Sequence, residues 1–205
     1  MQDRWHTRRA ASRWIAGGIV ILTLAAASAC GQVNTGRSPS YLLIDSMLAA
    51  PGGRGSGTLS NTLQSDVWSL TDKVIYEDTA VASLHVELKD LTSPSGPTNS
   101  VTVTRYHVSF RRSDGRNTQG VDVPYAFDGG ATATITAGGT QPLRFVLVRA
   151  QAKTESPLAA LRGGGGSIFI SALADVTFYG QDQNGNQIAV TGTISVNFAD
   201  WSDSA

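Results

Sequence analysis

The sequence predicts an all-β protein, an antiparallel β-sandwich of about eight or nine short strands with one short helix near residues 156–162. Two observations carry that expectation. Apolar residues recur with a period of two along most of the chain, the spacing of strands with one face on a core and one in water. Clusters of Gly, Asn, Asp and Ser separate these runs, and one is an Asn-Gly pair, the strongest short hairpin signal.

The chain opens on an address segment. Arg4, Arg8, Arg9 and Arg13 precede an apolar run from Ile15 to Ala29, which ends in small residues before Cys30. A basic stretch, a short apolar core and small residues ahead of a cleavage point make a secretory signal. The run is short of the roughly 20 residues that span a bilayer. Residues 1–29 therefore read as a signal peptide that is removed. Residues 30–40 are polar, contain glycine and lack periodicity, so they read as a flexible tether reaching at most about 35 Å. The folded domain is expected over 41–201, with a tail at 202–205.

Within the domain, Leu42–Leu48 and Leu59–Ser69 supply the first two strands. Leu84, Val86 and Leu88 then alternate with His85, Glu87 and Lys89. Tyr106, Val108 and Phe110 alternate with Arg105, His107, Ser109 and Arg111, and Ser113–Asn117 turns the chain. Val121, Val123, Tyr125 and Phe127 share one parity, although Pro124 confines that run to an edge or a bulge. Ala131, Ala133 and Ile135 form the next run, and Leu143–Val148 the one after it. Ser156 as cap, Pro157 at the first position and Gly163 at the end frame the short helix. The glycines 163–166 read as a flexible hinge. The last two strands are the clearest. Ile168 to Phe178 and Ile188 to Phe198 alternate strictly, with Asn184-Gly185 between them.

Two resemblances add to this reading. Ala27-Ser28-Ala29-Cys30 resembles the lipobox of bacterial lipoproteins, with Ala27 where members usually carry Leu. The resemblance implies a diacylated Cys30, and two acyl chains give stable membrane anchoring. Gly31, in place of Asp, implies the outer membrane in a host with two membranes. An ordinary secretory signal cut near Ala29 is the alternative, and Thr7-Arg8-Arg9 leaves the twin-arginine route open. The closing hairpin from Ala174 to Gly185 resembles the last strands of bacterial immunoglobulin-like and fibronectin-like modules. An immunoglobulin-like sandwich is implied, without the paired cysteines and central Trp of antibody domains. The whole mature sequence is also similar to small uncharacterised bacterial lipoproteins, a resemblance that implies no activity.

Charge excludes one class of partner. Four of the 16 basic residues and one of the 16 acidic residues lie in 1–29, which leaves a net charge of −3 after processing. That is no footprint for nucleic acid, and it is unlike a polybasic membrane-binding surface. Cys30 is the only cysteine, so a disulfide within the chain is excluded.

Candidate sites are few. Asp182, Asn184 and Asn186 alternate as calcium ligands do, but Thr191 and Thr193 stand where a bidentate acid is needed. A polar hairpin tip is the preferred reading. His85 and His107 fall on the polar parity of their strands, and a metal or catalytic role needs them adjacent with a carboxylate such as Glu87. Arg105, Arg111, Arg112 and Arg116 surround one strand and its turn, as a site for an anionic glycan or carboxylate or as edge charges paired with Asp114 and Asp122. Trp68 shares parity with Thr62, Gln64 and Asp66, so it is expected at the surface, for sugar stacking or for the rim of the core. Trp201 is the other tryptophan outside the signal segment.

No phosphate loop, nucleophile elbow or paired-histidine zinc helix is present in the sequence. The expectation is a lipid-anchored cell-envelope protein, a non-enzymatic binding or structural module without a cofactor. It is tied to the membrane through Cys30 and touched by a protein or glycan. A glycan-binding accessory lipoprotein and a hydrolase with a loop-borne site are the alternatives.

Overall fold

The computed structural model describes residues 36–52 and 58–201. The signal segment, Cys30, the first half of the expected tether and the tail lie outside the described residues. Eight strands make up the domain. They are β1 (Ser40–Ala50), β2 (Thr62–Asp66), β3 (Asp78–Leu88), β4 (Val101–Arg111), β5 (Phe127–Ile135), β6 (Thr140–Val148), β7 (Phe169–Asp182) and β8 (Gln187–Ala199). One sheet has the order β1-β3-β6 and the other β2-β8-β7-β4-β5. Neighbours run antiparallel, except that β2 runs parallel to β8. This is an all-β sandwich in which the chain passes repeatedly from one sheet to the other, while β4–β5 and β7–β8 each stay within the five-stranded sheet.

The alternating pattern does what a half-buried strand requires. In β7 and β8, Ala172, Ala174, Val176 and Phe178 and then Ile194, Val196 and Phe198 are buried, while Thr191 and Thr193 face water. Two bulges interrupt the alternation elsewhere. In β1 the pairing slips between Ile44 and Ser46, so the inward set passes from Leu42 and Ile44 to Met47 and Ala49. In β4 it slips between Val103 and Arg105, carrying the inward set from Val101 and Val103 to Tyr106, Val108 and Phe110. An extra residue on one strand reverses the parity beyond it.

Tyr106 joins the two sheets. Its ring packs edge-on to Phe145 of β6, with centroids 5.1 Å apart, and also meets Phe127 and Phe178. Its hydroxyl accepts the backbone N–H of Val146 at 3.2 Å. Burial raises the Tyr106 pKa, against a smaller lowering by that bond, so the phenol stays protonated. Gly129 of β5 lies directly under the ring: a Cβ there would sit 2.3 Å from Tyr106 Cζ.

Several expectations are corrected. The short helix is a single 3-10 turn, Leu158–Leu161, following another at Gln151–Thr154, and Ser156 makes no cap bond. Leu158 and Leu161 are buried, so one turn suffices to pin the segment. Val121–Ala126 is no strand, and Phe127 opens β5. Thr118 O accepts the N–H groups of Val121, Asp122 and Val123, which winds the segment into a turn. Val123 and Phe127 are buried while Val121 and Tyr125 are exposed. The fold also begins before residue 41: Ser40 opens β1, and Ser38 is buried. The glycine run is tied down, since Gly164 and Ser167 donate to Leu161 O and Gly164 O and the Gly163 N–H reaches the Asp200 carboxylate.

Among the described residues, one buried ion pair lies at the end of the sandwich where β6 stops. Lys153 Nζ donates to Asp78 Oδ2 at 2.8 Å, and both side chains are about 1% exposed. The Asp78 carboxylate also accepts Ser65 Oγ–H at 2.6 Å and the Gly52 N–H at 2.8 Å. Lys153→Met strands that carboxylate and is expected to cost about 3–5 kcal/mol of stability. Gly129→Ala is expected to cost about 1–3 kcal/mol through the clash with Tyr106. Urea denaturation monitored by tyrosine and tryptophan fluorescence measures both, and a loss under about 0.5 kcal/mol, the size of an ordinary surface substitution, would refute either assignment.

Candidate functional site

Strand direction divides the loops between two poles. At one pole the chain enters at Gly36–Ser40, and the 89–100 connection and the hairpin tips at 136–139 and 183–186 lie there too. The other pole carries the 67–77, 112–126 and 149–168 connections and the end of β8. With β1 running eleven residues between them, the poles are about 35 Å apart.

The long-loop pole holds a cleft of about 580 Å³ lined by Gly120, Tyr125, Arg149, Gln151, Glu155 and Ser156. One wall is the 112–126 connection and the other the segment after β6. The first wall is held by its own polar groups. Gln119 Oε1 accepts the Ala126 N–H, Asp122 accepts the Thr118 N–H, and Gly120, at φ +76°, donates to Val123 O. The Tyr125 ring packs on Gly120, where a Cβ would lie 2.3 Å from the hydroxyl, and the residue stays 51% exposed. On the second wall, Arg149 lays its guanidinium over the Phe127 ring at 4.4 Å. Its Nε is buried and has no hydrogen-bond partner, and the guanidinium makes no ion pair among the described residues. Gln151 Nε2 donates to Glu155 Oε1 at 2.8 Å.

The arginines singled out from sequence behave differently. Arg111 makes a two-point contact with Asp175 of β7, at 2.6 and 3.3 Å. Arg112 holds Asp114 through two nitrogens, and Arg116 shares the same carboxylate. The Arg112 hydrogen bond, helped by Arg116, pulls the Asp114 pKa down to about 2. Asp122 pairs with none of them. Arg105 lies 3.8 Å over the Tyr179 ring and 3.4 Å from Asp128. Each of these cations therefore has a partner on the outer face of the five-stranded sheet or in its turn.

The remaining candidates are placed as follows. Trp68 is half-buried, and the Arg162 guanidinium covers its ring at 3.4 Å, occupying a face that a sugar would need. Trp201 packs beside Gly166, its backbone N–H donates to Asp66 Oδ1, and its indole Nε1 is buried without a hydrogen-bond partner. His85 and His107 sit on the outer faces of opposite sheets, so the structure does not bring them together. His85 Nδ1 pairs with Asp45, the bulged residue of β1, and His107 Nδ1 lies 3.2 Å from Asp128. Glu87 is exposed. Asp182 closes the hairpin: Oδ1 accepts the N–H groups of Asn184 and Asn186 at 2.9 Å, and Oδ2 accepts Asn186 Nδ2 at 2.8 Å. Those oxygens fasten a turn rather than pointing to a common ligand centre.

Arg149, Tyr125 and Glu155 escape sequence reasoning because the cleft joins residues from two separate connections. The available signal was slight: an arginine ending the apolar Leu143–Val148 run, then Gln151 and Glu155 four apart. No protein-family model and no curated protein matches the chain.

The Asp182 turn has a pH consequence. Burial pushes its pKa up, but the hydrogen bonds from Asn186, Asn184 and Ser38 outweigh it, and the net shift is downward. A carboxyl lowered by folding contributes stability that is complete above its unfolded pKa of about 4 and fades as pH falls through the folded value. Asp182→Asn is expected to lower stability at pH 7 by about 1–3 kcal/mol and to flatten part of the acid limb, leaving the part owed to Asp114 and Asp175. Denaturation midpoints between pH 2 and about pH 7 test this; an unchanged acid limb would contradict it.

Proposed function

We propose that the protein is a lipid-anchored, non-enzymatic binding module of the bacterial cell envelope, held through Cys30 and presenting its long-loop pole to a partner. The observation that carries this reading is the distribution of exposed apolar side chains. Among the described residues, six of the ten large exposed hydrophobics, Leu70, Val74, Val121, Tyr125, Ile168 and Phe169, lie at that pole. Concentrated exposed apolar surface marks interaction sites. The described chain enters at the opposite pole, so a lipid on Cys30 leaves this surface facing away from the bilayer. The basic stretch, apolar run and small residues before Cys30 support the anchor.

Two measurements test the two halves. The full chain expressed in a bacterium is expected to partition into the detergent phase with the mass of a diacylglyceryl group on Cys30, and Cys30→Ser is expected to appear in the aqueous phase. An unmodified thiol in the wild-type protein would sink the anchor. A photo-crosslinking residue at position 121 or 169 is expected to give a discrete adduct on intact cells, and one at 91, near the entry pole, is not. Adducts from 91 alone would overturn the orientation.

A further inference from the structure

We propose that the cleft around Arg149 binds an acidic sugar, with a uronic-acid carboxylate on the guanidinium. The inference rests on reading the long-loop pole as the binding pole and names what one part of it takes. Arg149 is the cation that lines the cleft, and it makes no ion pair among the described residues, whereas Arg105, Arg111, Arg112 and Arg116 each have a carboxylate. A guanidinium stacked on Phe127 is held in one orientation, and its planar fork matches a carboxylate with two parallel hydrogen bonds.

The other lining groups narrow the class. Glu155 is the second charge in the cleft, so the lining is neutral overall. A phosphate concentrates its charge on one centre beside the Glu155 carboxylate, whereas a uronate oligosaccharide carries one carboxylate per sugar and can set one of them on Arg149 while its hydroxyl groups donate to Glu155. Gln151 and Ser156 add hydrogen-bonding side chains. Tyr125 offers an exposed ring at the mouth, a flat amphipathic surface that suits the C–H face of a pyranose. The lining contains no aliphatic side chain, so the last residue of a peptide with a free C-terminus finds no pocket for its own side chain.

The test is titration calorimetry on the full chain in detergent micelles, with trigalacturonate as the probe. The carboxyl-reduced trisaccharide, inorganic phosphate and a short peptide with a free C-terminus are the comparisons. Saturable binding of trigalacturonate is expected, with the other three at least about tenfold weaker. Arg149→Gln is expected to weaken it by at least about tenfold, as is Arg149→Lys, which keeps the charge and loses the fork. Tyr125→Ala, at an exposed position, is expected to weaken it without changing the thermal midpoint. Absence of uronate binding, equal binding of the reduced sugar, unchanged binding by both Arg149 variants, or tighter binding of the peptide would each overturn the proposal. Crosslinking from positions 121 and 169 would still report on the pole itself, so the two failures are separable.

Discussion

A single buried carboxylate organises the long-loop end of this sandwich. Asp78 begins β3, and its oxygens take Lys153 from beyond β6, Ser65 from β2 and the Gly52 N–H after β1. Four stretches distant in sequence thus converge on two atoms, in both sheets and two connections. A buried ion pair is costly to desolvate, and the Coulombic gain offsets that only when the remaining lone pairs are also satisfied. Here they are. With a single cysteine in the chain, no disulfide within it can tie the sheets, and the Ser65–Asp78 bond supplies a polar link between them.

The same contact sets the geometry of the cleft. Lys153 sits in the Gln151–Thr154 turn, so burying its ammonium fixes the backbone that carries Arg149 and Gln151 on one side and Glu155 on the other. Tyr106 acts likewise from the core. It holds Val146 through its hydroxyl and Phe127 through its ring, and Phe127 is the surface on which Arg149 rests. Stability and a poised guanidinium are therefore two results of one arrangement: the groups that close the sandwich also stiffen the wall beside it.

Strand alternation made most of the fold legible. β7 and β8 could be read residue by residue, because an unbroken period of two leaves one register, and Asn184-Gly185 supplies the turn. The bulges near Asp45 and Thr104 were not legible. They shift parity by one residue, and short alternating runs on either side look equally good alone. Val121–Phe127 misled for a related reason. Apolar residues at every second position suit a strand, but Pro124 and the bonds to Thr118 O select a turn that buries Val123, Pro124 and Phe127 and leaves Val121 and Tyr125 exposed. The site was harder still. Arginines clustered in sequence are conspicuous, yet Asp175, Asp114 and Asp128 neutralise them, mostly across strands. What distinguishes Arg149 is its place in the cleft wall, stacked on Phe127 opposite Tyr125, a property of three-dimensional neighbours that no local spacing encodes.

The pairing of β1 with β3 has a mechanical side. Its hydrogen bonds lie perpendicular to the strands, from Ser40 opposite Leu88 to Ala50 opposite Thr79. Traction applied to the chain at Ser40 and resisted at the far pole runs parallel to the strands. The ladder is then sheared as a set instead of being peeled bond by bond. Rupture requires many bonds to fail together, so a domain of modest equilibrium stability can withstand flow or tugging at a surface far longer than the same ladder loaded from its side.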